Sequence, residues 1–185
     1  AGERIDGGVR GEVAGLDVRV IELAALKGLF SGLVYDPVSF VNAPVLAQQR
    51  GVEVALITND ESPDHRNLVR VRLTLTDGSM LSVAGTVTGA RHVEKLVEVD
   101  AFDTDVPISD HMAFFRYHDR PGVVGVVGHA FGEAGVNIGG MQVSRDDAGG
   151  HALIVLTVDS VAPAAMLETL IKDIGAHTGR TVDFG

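Results

Sequence analysis

Met112-Ala113-Phe114-Phe115-Arg116-Tyr117-His118, followed by Asp119-Arg120-Pro121-Gly122, is the stretch that decides the fold. Apart from Arg116 the first seven residues are apolar or aromatic, as suits a strand, and the Pro-Gly pair after them opens a helix-period run from Pro121 to Glu133. Toward the C-terminus, strand signals cover Val136 to Arg145 and His151 to Asp159. A second helix is expected over Pro163 to Ile174 and a last strand over Thr181 to Phe184. Gly135 stops the first helix, Asp146-Asp147-Ala148-Gly149-Gly150 closes the middle hairpin, and Ala162-Pro163 opens the second helix. The order βαββαβ is that of a ferredoxin-like unit, a four-stranded antiparallel sheet with both helices on one face.

Toward the N-terminus the pattern changes. Residues 8 to 22 alternate apolar and polar around a Gly15-Leu16-Asp17 break, which predicts two short strands. Leu23 to Leu33 carries leucines and Phe30 at helical spacing, and a second helix is expected from about Ser39 to Gln49 despite Pro44, with Gly51 ending it. Val52 to Thr58, Leu68 to Thr76, Met80 to Thr88, Val93 to Val99 and Phe102 to Ile108 then read as strands, with Asp77-Gly78 as a hairpin signal. The chain is therefore α+β, with an open α+β sheet domain over 1–109, its helices on one face, followed by the βαββαβ domain over 110–185.

Composition narrows the function. At 185 residues, 45% hydrophobic and 22% charged, the chain can bury two small cores. The net charge is -10, and both parts are acidic: seventeen acidic against ten basic residues up to 110, eight against five beyond it. Nucleic acid and anionic membrane surfaces are thereby poor partners, since each needs a basic patch. No apolar run is long enough to span a bilayer, and Ala1 to Arg10 lacks the order of a signal peptide. With no cysteine, thiolate metal sites and cysteine nucleophiles are excluded, and the cytoplasm is the expected location. The start at Ala1, without an initiator methionine, leads to the expectation that the chain is cut from a longer protein.

Catalytic signatures fail in turn, and no catalytic residue is assigned. None of the 23 glycines has another two positions away, which removes the dinucleotide fingerprint; P-loop, zincin and nucleophile-elbow motifs are also missing. Gly122, Gly125, Gly128 and Gly132 fall along one helix and are expected to allow close helix packing. No metal site is expected. Asp103 with Asp105 and Asp146 with Asp147 read as solvated turns, and the nearest histidine pair, His111 and His118, falls on opposite faces of a strand.

The residues suited to a ligand cluster around the first helix of the second domain. A helix N-terminus can hold a carboxylate through its unpaired amides, and Asp119 can hold an ammonium group. Asn137 offers donor and acceptor together, and Tyr117 a hydroxyl. If the ends of the first two strands approach each other, Tyr117, Asp119 and Asn137 converge on one small amino acid. Each also has an ordinary structural reading, in which Asp119 is an N-cap, Asn137 a turn residue and Tyr117 a sheet-surface residue.

The Asp119-Arg120-Pro121-Gly122 corner, the helix after it, Gly135-Val136-Asn137-Ile138 and the acidic hairpin resemble an ACT domain. In the first part, Val38-Ser39-Phe40-Val41-Asn42-Ala43-Pro44, Glu61-Ser62-Pro63 and His92-Val93-Glu94-Lys95-Leu96-Val97 resemble the intervening domain of long-form D-3-phosphoglycerate dehydrogenases. The resemblance covers nearly the whole chain and implies the C-terminal regulatory part of such an enzyme, with NAD bound by catalytic domains outside this chain. It implies a homodimer or tetramer that binds L-serine between two ACT domains as feedback inhibitor, Tyr117 and Asp119 coming from one copy and Asn137 from its neighbour. Lys95 matches a lysine that serves an anion site in the family, but Asp100-Ala101-Phe102-Asp103 stands where basic residues should follow; a spacer and dimer contact is the expected role. Two other readings stay open. One is a subunit similar to the iron-sulfur serine dehydratase β chain, whose Ser-Ser-Ser-His type entry segment this chain lacks; the other is an assembly module without ligand.

Overall fold

The computed structural model describes residues 3–146 and 149–184, and the chain divides into two compact units, 1–101 and 102–185. The division falls ahead of the strand at 102–107, earlier than the 109/110 boundary read from the sequence.

The first unit begins with β1 (Arg4–Gly11), a 3-10 turn (Glu12–Gly15), α1 (Arg19–Ser31) and α2 (Ala43–Arg50). It continues with β2 (Glu53–Asn59), β3 (Asn67–Thr74), β4 (Met80–Thr88) and β5 (Val93–Val99). Its strands lie in the order β2-β1-β3-β4-β5, with β1 parallel to β2 and antiparallel to β3. Ile5 and Val54 pack with Leu26 and Phe30 of α1 and Ala43 and Ala47 of α2, so the helices share one face. The two short strands expected over 8 to 22 are not both formed. Val18 to Ile21 alternates as a strand would, yet the Asp17 carboxylate accepts the Arg19 amide at 3.1 Å and the helix starts there. Burial of Leu26 and Phe30 one turn apart outweighs local β-propensity, and Val20 is left exposed. α2 starts later than Ser39 because the Asn42 carboxamide oxygen takes the Ser39 amide at 2.7 Å, which holds residues 39–42 in a turn. Pro44 then falls in the first helical turn, where its missing N–H costs nothing.

The second unit comprises β6 (Phe102–Pro107), β7 (His111–His118), α3 (Val123–Glu133), β8 (Ile138–Arg145), β9 (His151–Val158), α4 (Ala164–Ile174) and β10 (Thr178–Asp183). From β7 onward this is βαββαβ, in an antiparallel sheet of order β10-β7-β9-β8. Alternate residues Ala113, Phe115 and Tyr117 of β7 and Ala152, Ile154 and Leu156 of β9 meet Val123, Val127 and Phe131 of α3 and Leu170 and Ile174 of α4. Phe115 and Phe131 pack edge to face, 6.4 Å between centroids. β8 and β10 are the edges of this sheet, and both differ from expectation. β8 starts at Ile138 and bulges before Gly140; β10 starts at Thr178, three residues early, because its exposed Thr-Gly-Arg run has no alternation to read.

Gly125, Gly128 and Gly132 do not mediate close packing. A Cβ at any of them would meet nothing within 4 Å, because α3 buries its Val123-Val127-Phe131 stripe instead. Among the described residues no helix is long and apolar enough to cross a membrane.

Candidate ligand site

Tyr117 and Asp119 flank the C-terminal end of β7. Tyr117 has the parity of Phe115 and lies under the helices, only 1% exposed. Burial raises the pKa of its hydroxyl above the usual 10, the Asp119 charge raises it further, and Arg145 works against both. Asp119 is not the helix cap. Gly122 occupies that position at φ 91°, a left-handed conformation suited to glycine, and among the described residues no side-chain cap bond is made there. Among the described residues, then, no side chain caps the first amides of this eleven-residue helix. The Asp119 backbone N–H is tied to the Gly150 carbonyl at 2.8 Å, and its carboxylate accepts from Arg145 Nη1 at 3.3 Å. The Asp119 side chain is 18% exposed and that of Arg145 59%, so the pair opens to solvent. Arg145 was not among the residues singled out from sequence. Its signal is parity: it shares the helix-side face of β8 with Val143, and its register partner Ala152 also faces Tyr117.

Asn137 lies elsewhere. Its Nδ2 donates to Asp159 Oδ2 at 2.8 Å, and its carbonyl accepts the Asp159 amide at 3.1 Å, just before β8. His118 pairs with His151 at one end of β9, whereas Ile138 pairs with Val158 at the other. Seven strand steps at about 3.4 Å each put Asn137 about 24 Å from Asp119. Convergence of Tyr117, Asp119 and Asn137 within one chain is thus excluded, because the first helix returns the chain to the sheet end from which β7 started.

Residues 3–100 match the family described as the D-3-phosphoglycerate dehydrogenase intervening domain, and residues 111–175 match the ACT domain. The chain belongs to this dehydrogenase family. It is 41% identical over 169 residues to a D-3-phosphoglycerate dehydrogenase of Mycobacterium leprae, which covers 91% of the chain and 32% of that protein. The Mycobacterium bovis dehydrogenase is 39% identical over 175 residues, covering 95% and 33%, and that of Bacillus subtilis 31% over 150 residues, covering 80% and 28%. The chain thus spans about a third of the length of the dehydrogenases it matches, as the intervening-plus-ACT part of such an enzyme would.

In the intervening domain Lys95 stands on β5 opposite Thr86. Of the acidic residues after it, Asp100 takes the Ser82 amide at 2.9 Å and adopts φ 47° in a tight turn with Ala101 at 68°, a structural use of that carboxylate. Sequence reading did not find a second basic group. Arg10, Arg70 and Arg72 line a hollow of about 230 Å³ over Gly8 on the sheet face away from the helices. Arg70 there pairs with Glu98 at 2.5 Å. These residues are two apart or register partners, which puts them on one face only once β1 and β3 are known to be neighbours.

Proposed function

We propose that this chain is the regulatory segment of a D-3-phosphoglycerate dehydrogenase and that it binds L-serine between two copies of its ACT domain. The observation that carries this reading is the placement of Asp119 and Asn137 at opposite ends of one sheet whose edge strand is β8. If two copies pair β8 to β8 antiparallel about a two-fold axis, the sheet becomes eight-stranded and its ends are exchanged. The Asn137 end of one copy then meets the Arg145 end of the other, where Asp119 and the uncapped start of α3 already lie. Asp119 takes the serine ammonium, Arg145 and the α3 amides take its carboxylate, and Asn137 of the second copy closes the site. Serine would stabilise this contact and, by reciprocal linkage, disfavour the active arrangement of tethered NAD-dependent domains, typically by about 1 to 3 kcal/mol. In this reading the protein is a cytoplasmic homo-oligomer, dimer or tetramer, and the intervening domain serves as spacer and contact. Lys95 is a candidate for any anion bound there.

The test is titration calorimetry with L-serine, using D-serine, glycine and threonine as controls. Asp119→Ala and Asn137→Ala should each weaken binding by at least about 10-fold, enough to leave no heat at serine concentrations that just saturate the parent. Mixed in equal amounts and allowed to exchange, they form heterodimers with one intact site, restoring about a quarter of the parental sites by random pairing. Exchange without any recovery of serine heat would rule the shared site out.

A further inference from the structure

The histidines look scattered along the sequence, yet three of them meet. His118 ends β7, His151 begins β9 and His177 immediately precedes β10, and these are neighbouring strands in the order β10-β7-β9. His118 and His151 are direct register partners, which puts both side chains on one face, and the His177 amide bonds the Arg116 carbonyl at 2.8 Å. The ring centroids lie 4.6 Å apart for His118 and His151, 4.9 Å for His118 and His177, and 5.4 Å for His151 and His177. One ring nitrogen from each falls within 4.8 Å of the other two.

We infer that His118, His151 and His177 form a site for a divalent late transition metal, with Zn²⁺ as the fitting case. This inference stands independently of serine binding. An all-imidazole donor set suits Zn²⁺, Co²⁺, Ni²⁺ and Cu²⁺, and disfavours Mg²⁺ and Ca²⁺, which need oxygen ligands. At a Zn–N distance of about 2.0–2.1 Å, tetrahedral coordination needs nitrogens about 3.3 Å apart. Rotation about χ2, a soft torsion, can bring the rings to that spacing; His118 and His177 are exposed, and the ring contacts such a rotation changes are those among the three histidines themselves. His151 is already oriented: its Nδ1 lies 3.4 Å from Asp146 Oδ2, and its amide bonds the same carboxylate at 2.6 Å. With Asp146 beside Nδ1, Nε2 is the nitrogen left for the metal, and closing that 3.4 Å contact to a hydrogen bond would complete the carboxylate–histidine–metal arrangement that supports ligating imidazoles. Three protein ligands leave a fourth position for water or another donor. Bound metal would tie three strands together at one end of the sheet and stabilise the folded unit by mass action.

The whole chain should be titrated with Co²⁺ and, by competition, Zn²⁺, in the absence of serine. One equivalent per chain is expected, with visible Co²⁺ absorption of four-coordinate intensity and a raised thermal midpoint. His118→Ala and His177→Ala change exposed side chains and should keep the parental circular dichroism while losing the Co²⁺ band. Asp146→Asn should weaken binding by about 10-fold. His65→Ala with His92→Ala, outside the cluster, should change nothing. Absence of saturable one-equivalent binding, or binding that survives in both His118→Ala and His177→Ala, would overturn the assignment.

Discussion

Replacing Asp119 by alanine separates two roles that the sequence leaves superimposed. Were Asp119 the N-cap of α3, its loss would cost about 0.5–2 kcal/mol. The cap position is held by Gly122 without a side-chain bond, and the Asp119 carboxylate meets an Arg145 side chain that is 59% exposed, at 3.3 Å. An ion pair of that exposure contributes about 0.2–1 kcal/mol, less at high salt. The backbone bond from Asp119 to Gly150 survives the substitution. For a unit of this size 1 kcal/mol corresponds to about 4–8 °C, so the thermal midpoint should fall by no more than that. Serine affinity should respond much more strongly, because a hydrogen bond to a charged group is lost, worth about 1.5–3 kcal/mol or roughly 10- to 150-fold. Differential scanning calorimetry and serine titration on the same preparation measure both. A midpoint drop well beyond 10 °C would show that Asp119 holds the helix after all. Serine affinity within twofold of the parent would remove Asp119 from the site.

Two further outcomes follow from local packing and burial. Gly128→Ala should stabilise α3 by about 0.8–1 kcal/mol, since its Cβ meets open space, whereas Gly179→Ala drives a Cβ to 2.6 Å from Ile171 of α4 and should cost about 1–3 kcal/mol; urea denaturation of the two variants checks the contrast. Tyr117 holds its proton longer in the folded than in the unfolded chain, so its contribution to stability should be constant up to about pH 10 and fall as pH rises through the raised folded value. Ultraviolet titration should place the Tyr117 midpoint lower in Asp119→Ala than in the parent, because the repelling charge is gone.

Local chemistry by itself determined the order of elements in the second unit. Glycine at 135 and proline at 121 and 163 punctuate it, and the alternation of Ala113, Phe115 and Tyr117 is the face that the helices cover. The same reading failed at Val18 to Ile21, where a period-2 pattern yields to helical burial of Leu26 and Phe30. It found β10 but missed its start by three residues, where the Thr178-Gly179-Arg180 run has no alternation to detect. Tyr117, Asp119 and Asn137 were legible as ligand-type residues because their chemistry is their own. Their separation across the sheet, the Arg145 partner of Asp119, the arginine face around Gly8 and the meeting of three histidines were decided only by tertiary structure. Strand order and register are set by which apolar faces can be buried together over long sequence distances, and no local propensity records which end of one strand will lie beside which end of another.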